Sequence, residues 1–192
     1  MDFVLFDLGG VLCDVEHERS EDAWHRLHPG KPSIVESMHD SLAKPQADVG
    51  LLTAAGMAKR LTEHTGFQVT EAELRQVWGD MVRWRPFVPS LRARLNVPFG
   101  VLSTIDPIHS DRLGPLQGAD PLVYSWEIGV AKPDLRAFKS ALTRIPVRPG
   151  RVLYLDDLEE NVRAATRCGM SAVRVTQESE IEEALRGLCA DA

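Results

Sequence analysis

Asp7 stands directly after Phe3-Val4-Leu5-Phe6, a short unbroken apolar run, and directly before Leu8-Gly9-Gly10. Such a run reads as a buried strand entering a turn, which puts the carboxylate at the strand's carboxyl end. Other polar groups repeat the pattern: Ser103-Thr104 follows Phe99 to Leu102, Lys132 follows Leu122 to Tyr124 after a short loop, and Asp156-Asp157 follows Val152 to Leu155. Ligands of open parallel sheets bind outside the carboxyl ends of strands, so two or three carboxylates, hydroxyls and an ammonium are expected to converge there.

Asp7 and Asp157, with a backbone carbonyl from the Gly9 turn and waters, form an all-oxygen donor set. That set suits Mg2+, which takes a few carboxylates together with substrate oxygens. A carboxylate beside Mg2+ and Lys132 stays ionised at neutral pH and can attack in line, dividing one hard displacement into two through an aspartyl intermediate. Phosphorus is the natural electrophile. Its equatorial oxygens would be held by the metal, Lys132, the Ser103 hydroxyl and the N–H groups of the turn at Gly9 and Gly10, with Thr104 on the same edge.

The elements that must position these groups are legible as well. The four apolar runs and a fifth, Ala172 to Val175, are separated in the last three gaps by helix-like stretches, a βαβ rhythm. Leu135, Phe138, Leu142 and Ile145 make one helical stripe, and Ile181, Ala184, Leu185 and Leu188 another. Pro133 suits a helix's first turn, and Gly169 stands where a C-cap glycine would follow Val162 to Cys168.

The expected fold is α/β, a Rossmann-like parallel sheet core interrupted by an insertion. Residues 8 to 97, 90 of them, separate the first strand from the second where a crossover needs about a dozen. Within this stretch Leu51, Ala54, Ala55 and Ala58 form one stripe, and Leu74, Val77, Trp78 and Met81 another, the second preceded by Thr70 and Glu73 as a capping box. Residues 15–84 are therefore read as an α-helical cap over the strand ends, with residues 1–14 and 85–192 as the core. Gly30 to Pro45, polar and proline-punctuated, reads as a mobile loop.

Composition narrows the class. At 192 residues, 44% hydrophobic and 26% charged, the chain can bury a core without staples, and collagen, coiled coil and disordered tail are excluded. The three cysteines, Cys13, Cys168 and Cys189, share no CxxC spacing and point to a reducing compartment. The start, Met-Asp-Phe-Val-Leu-Phe-Asp, lacks a basic segment, and no run approaches the roughly 18 apolar residues of a membrane span, so a cytoplasmic location is expected. Twenty-eight acidic against 22 basic residues, net −6, with no Lys/Arg-rich run, disfavour nucleic acid. The expected partner is a small-molecule phosphate ester.

Four segments in order, Phe6-Asp7-Leu8-Gly9-Gly10-Val11-Leu12, Val101-Leu102-Ser103-Thr104, Ser125 to Asp134 with Lys132-Pro133-Asp134, and Tyr154-Leu155-Asp156-Asp157 with Asn161 beyond, resemble the motifs of the haloacid dehalogenase-like hydrolase superfamily. The resemblance spans nearly the whole chain and is to members with a helical cap inserted after the first strand. It implies Asp7 as nucleophile and metal ligand, Gly9 as a ligand through its carbonyl, and Ser103 and Lys132 as phosphate holders. It implies Asp157 as the second metal carboxylate, with Asp156 and Asn161 supporting the metal shell directly or through water. The activity implied is a Mg2+-dependent phosphatase of small metabolites, most like those acting on sugar phosphates such as a hexose 1-phosphate, through an aspartyl phosphate.

Family phosphatases usually carry a second Asp two residues after the nucleophile, to protonate the leaving oxygen, and here that position is Gly9. General acid help contributes roughly 10²–10⁴-fold in rate. A good leaving group such as an anomeric oxygen would need little of it, and Asp14 or a cap histidine such as His17 would be a substitute. Two other readings stay open: a haloacid dehalogenase, which needs neither acid nor metal, and a non-catalytic relative that binds a metabolite or partner. The Asp156-Asp157 pair argues against the first, because without a cation it repels itself and Asp7.

The remaining conspicuous residues have ordinary readings. His17, His25, His28, His39 and His64 read as surface residues of the cap, and His25 with His28 lacks a third ligand at a metal-site spacing. Trp24, Trp78 and Trp84 read as helix packing, with a substrate slot the other use; Trp126 lies inside the third motif. Cys13 reads as a small buried apolar group.

Overall fold

The computed structural model describes residues 1–114 and 116–189; the outer limit of the expected core, 190–192, and residue 115 lie outside the described residues. In chain order the elements are β1 (Phe3–Phe6), β2 (Cys13–Val15), α1 (His17–Leu27), α2 (Ile34–Asp40), α3 (Ala43–Asp48), α4 (Ala54–Thr65), α5 (Glu71–Trp78), β3 (Val82–Trp84), α6 (Leu91–Arg94), β4 (Phe99–Ser103), α7 (Pro107–Leu113), β5 (Ala119–Tyr124), α8 (Ser125–Ile128), α9 (Leu135–Leu142), β6 (Val152–Asp156), α10 (Glu159–Arg167), β7 (Ser171–Arg174) and α11 (Glu178–Ala184).

Five strands form one parallel sheet in the order β5-β4-β1-β6-β7. The three inner strands, β1, β4 and β6, are buried along their whole length and read as near-continuous apolar runs, and the two-residue period divides their side chains between two cores. Phe3 and Leu5 of β1 point with Leu102, Val123 and Tyr154 to the side of α9 and α10, where Phe138, Ala164 and Ala165 meet them. Val4 and Phe6 point with Phe99, Val101 and Leu155 to the opposite side, against Leu91, Ile181 and Leu185. β1 is central, so Asp7 leaves the sheet at its middle.

The segment between β2 and β3, a short antiparallel ribbon, is helical and has its own core of Trp24, Ile34, Met38, Met57, Leu61, Leu74, Val77 and Trp78, to which α7 contributes Ile108. The capping box is present: the Thr70 hydroxyl accepts from Glu73 N–H at 3.2 Å and the Glu73 carboxylate accepts from Thr70 N–H at 2.8 Å. Gly50 brings this layer against the core. At φ +71° it packs so near α8 that a Cβ would stand 2.2 Å from the Trp126 carbonyl oxygen.

Four local expectations are corrected. Gly30 to Pro45 contains α2 and the start of α3, because Ile34, Met38 and Ala43 are fully buried and Glu21 accepts from the N–H groups of Ile34 and Val35 at 3.3 and 2.9 Å. Leu51, placed on a helical stripe, is 71% exposed outside the helix, since Thr53 caps α4. Pro133 precedes α9 rather than lying in its first turn, and Asp134 is the cap. His28 is packed on Trp24 and Phe67, ring centroids 4.2 and 5.3 Å away, and is no surface residue. Among the described residues, no helix is long and apolar enough to cross a membrane.

Candidate active site

The carboxyl ends of β1, β4 and β6 deliver Asp7, Ser103 and Asp156-Asp157 to one edge of the sheet. Lys132 reaches the same edge from the α8–α9 loop, held there by its own N–H donating to Thr104 Oγ1 at 3.0 Å. Its ammonium is almost wholly buried and has three acceptors: Asp7 Oδ1 at 2.8 Å, Asp156 Oδ2 at 2.7 Å and Tyr154 Oη at 3.1 Å.

Asp156 is fully buried, and both of its oxygens are engaged. Oδ1 accepts from Leu158 N–H and Asn161 Nδ2, each at 2.9 Å, and Oδ2 accepts from Lys132, from the Tyr154 hydroxyl and from Asn161 Nδ2 at 3.1 Å. Its contacts thus fix the position of Lys132 and of the α10 start. Tyr154 escaped the sequence reading. The available signal was a phenol two residues before Asp156, hence on the same face of β6, in an otherwise apolar strand.

The electrostatics follow from burial. Burial pushes the Asp7 carboxyl up to about 6, against the pull of Lys132 and with added repulsion from Asp156. Asp156 moves the other way: burial opposes ionisation, but the Lys132 ammonium and its hydrogen bond hold the carboxyl below the usual range. Asp157 is raised by burial and by the neighbouring Asp156 charge. The Cys13 thiol is pushed up to about 12, by burial first and Asp7 second, so it packs and does not react.

A cavity of about 580 Å3 opens over this edge, lined by most of the expected site: Asp7, Gly9, Gly10, Asp14, Ser103, Thr104, Lys132, Asp157 and Asn161, together with Val15, His17, Leu158 and Glu160. Asp14 is exposed and accepts from Arg85 Nε at 2.9 Å. Gly10, at φ +71°, leaves room for Asp157: a Cβ there would stand 2.5 Å from Asp157 Oδ2. Carboxylate oxygens of Asp7, Asp156 and Asp157 lie within 4.8 Å of one another, and the Asn161 Oδ1 acceptor is buried without a partner among the described residues. Three carboxylates against one ammonium leave a net charge of about −2, which an oxygen-seeking cation would offset.

A second cavity of about 320 Å3 adjoins the first between the helical layer and the core. Its walls are mainly apolar, including Leu8, Trp78, Met81 and Ile105, with His17, His39, Lys44 and His109 as basic members. Beside it lies a charge cluster missed in the sequence. Asp106, fully buried, accepts from Trp78 Nε1 at 3.0 Å and pairs with His109 Nδ1 at 2.8 Å, while Lys44 pairs with Asp48 and stands 3.8 Å from Asp106.

Known proteins resemble this chain in sequence and in fold. A family model described as haloacid dehalogenase-like hydrolase matches residues 1–169. D-ribitol-5-phosphate phosphatase of Bacteroides thetaiotaomicron is 24% identical over 180 residues, 86% of this chain and 87% of that protein. Phosphorylated carbohydrates phosphatase of Thermotoga maritima is 26% identical over 183 residues, 90% and 84%. A HAD family enzyme of Bacteroides thetaiotaomicron, solved in complex with magnesium and inorganic phosphate, superposes with a TM-score of 0.81 at 22% identity, covering 94% of this chain and 98% of that one.

Proposed function

The chain belongs to the haloacid dehalogenase-like hydrolases, and we propose that within this family it is a Mg2+-dependent phosphatase of small phosphorylated metabolites, sugar or polyol phosphates foremost. One observation carries the reading: carboxylate oxygens of Asp7, Asp156 and Asp157 lie within 4.8 Å of one another, the first two paired with the buried Lys132 ammonium, beside a cavity that also presents Ser103. The phosphatases named above, whose names specify phosphorylated polyols and carbohydrates, support the substrate class.

Asp7, Asp157 and the Gly9 carbonyl would hold Mg2+, with Asn161 Oδ1 free to accept from a coordinated water. When bound, the ion neutralises the surplus negative charge and draws density from the phosphoryl oxygens. The chain's own groups do the rest. Lys132, oriented by Asp156 and Tyr154, and the Ser103 hydroxyl position the phosphoryl group, and the Gly9 N–H completes the cradle; the Gly10 N–H, expected to join it, instead donates to the Cys13 carbonyl oxygen at 2.8 Å. Asp7 attacks phosphorus in line and carries the phosphoryl group until water releases it. Residues 15–84 form the cap, which shields the first step from water and bounds the leaving-group cavity.

Displacement at carbon is compatible with Gly9 but gives no role to Asp157 and leaves the net negative charge standing. The deciding experiment measures phosphate release from a panel of sugar and polyol phosphates and an activated aryl phosphate, with Mg2+ and with chelator, while assaying haloacids for halide. Metal-dependent phosphate release supports the reading, and metal-independent halide release overturns it.

A further inference from the structure

Breaking a phosphate ester leaves an alkoxide, and the position two residues beyond Asp7, Gly9, has no side chain to protonate it. The space there is open: a Cβ on Gly9 would have only Val15 Cγ2 within 4 Å, at 3.6 Å. The two cavities meet at this point, and the residues lining both are Gly9, Val15, His17, Ser103 and Thr104. The first cavity contains the attacking carboxylate and the second is the adjoining space a leaving group would fill. The bridging ester oxygen therefore lies along their shared rim.

Of those five residues, His17 alone has a side chain that gives and takes a proton at neutral pH. It is exposed to the cleft as the first residue of α1, anchored by the β2–β3 ribbon, and its ring makes no hydrogen bond among the described residues. The rival donors fail on position or engagement. Asp14 lines the first cavity only and is paired with Arg85. His39 lines the second cavity only, and His109, also there, has its nitrogens 2.8 Å from Asp106 Oδ2 and 2.8 Å from the Trp78 carbonyl oxygen.

We propose that His17 is the catalytic acid of this enzyme, an imidazole in the place of the missing carboxyl; the inference rests on the phosphatase reading. As Asp7 bonds to phosphorus, the bond from phosphorus to the ester oxygen breaks and its electron pair stays on that oxygen, which takes the proton from the His17 imidazolium. The neutral ring then accepts a proton from the water that attacks the aspartyl phosphate. The Asp7–phosphorus bond breaks, phosphate leaves and His17 is again protonated.

The test compares the full chain with His17→Gln, in Mg2+, on an unactivated sugar or polyol phosphate and on p-nitrophenyl phosphate, whose leaving oxygen needs no proton. kcat/KM, which reports the phosphoryl transfer step, is expected to fall about 10²–10⁴-fold on the first substrate and to stay within about threefold on the second. Imidazole added to His17→Ala should restore part of the loss on the first substrate only. An equal fall on both substrates, or none on either, would overturn the inference while the phosphatase reading stands. Absence of Mg2+-dependent release by the unaltered chain would overturn both.

Discussion

Lys132 and Asp7 form a buried ion pair, Nζ to Oδ1 at 2.8 Å, in which the ammonium restrains a carboxyl that burial alone would push further towards its neutral form. The pair places the proposed nucleophile and the proposed phosphate-holding cation within 2.8 Å of each other at the sheet edge. Neither group could be kept ionised there alone, because a buried unpaired charge is far more costly than a paired one.

Asp7→Asn should lower kcat by at least about 10³-fold on every phosphate ester, because the amide does not attack phosphorus. Its effect on stability has the opposite sign. A carboxyl raised from 3.8 to about 6 on folding favours the folded state fully below the unfolded value and loses that contribution as pH rises through the folded one. In chelator, the variant should therefore gain on the unaltered chain between pH 4 and 7, by ~3 kcal/mol at most. Urea melts at a series of pH values check it, and a gap independent of pH would refute it.

Tyr154→Phe removes the hydroxyl that donates to Asp156 and accepts from Lys132. The ring stays packed against Phe138, centroids 5.5 Å apart, so unfolding should cost about 1 kcal/mol less, the size of one hydrogen bond. Lys132 keeps its two carboxylates but loses its third acceptor. KM for the phosphate ester should rise several-fold while circular dichroism is unchanged.

The sheet and the convergence of polar residues at its strand ends were legible because both depend on local signals. An apolar run ending in Asp7, Ser103 or Asp156 marks a strand and its carboxyl end, and parallel strands align those ends. α2 and α3 were not legible, because what makes them helices is tertiary: Met38 packed in the helical layer's core and the Glu21 carboxylate, remote in sequence, binding N–H groups of Ile34 and Val35. Tyr154 and Asp106 share that difficulty, each polar role being created by partners from other elements. Of the two glycines in the turn, Gly10 is constrained by Asp157, a partner from another strand end, and Gly9 is not, a distinction without any local signal.

That contrast is testable by one methyl group at each position. Gly10→Ala places a Cβ 2.5 Å from Asp157 Oδ2 at a φ of +71°, so activity should fall more than tenfold and the Mg2+ requirement should rise as Asp157 is displaced. Gly9→Ala meets only Val15, at 3.6 Å, and should fold with the stability of the unaltered chain to within about 0.5 kcal/mol. Thermal melts and Mg2+ titrations of both variants give the comparison.

Metal removal gives a further outcome independent of turnover. At about 100 times its Kd, Mg2+ should stabilise the chain by about 2.7 kcal/mol, which for a chain of this size raises Tm by roughly 5–10 °C. Asp157→Asn should lose most of that rise while remaining folded in chelator, since burial and the Asp156 charge already disfavour its ionised form. An undiminished rise would remove Asp157 from the ligand set.

Asp106 ties the helical layer to the core, and its titration predicts how that tie responds to acid. It accepts from Ile108 and His109 N–H groups at 2.9 and 3.0 Å and from Trp78 Nε1 at 3.0 Å, with the His109 ring at 2.8 Å. Burial opposes its charge, but His109, Lys44 and Trp78 outweigh burial and hold the carboxyl well below the ordinary 3.8. A depressed value contributes stability above the unfolded pKa and loses it as pH falls through the folded one. Asp106→Asn should therefore cost about 3 kcal/mol at pH 7, and the gap to the unaltered chain should narrow below pH 4. Urea melts of both chains at pH 7 and pH 3, followed by circular dichroism, read both values, and a gap of equal size at the two pH values would show that the carboxylate's charge does not hold the layers together.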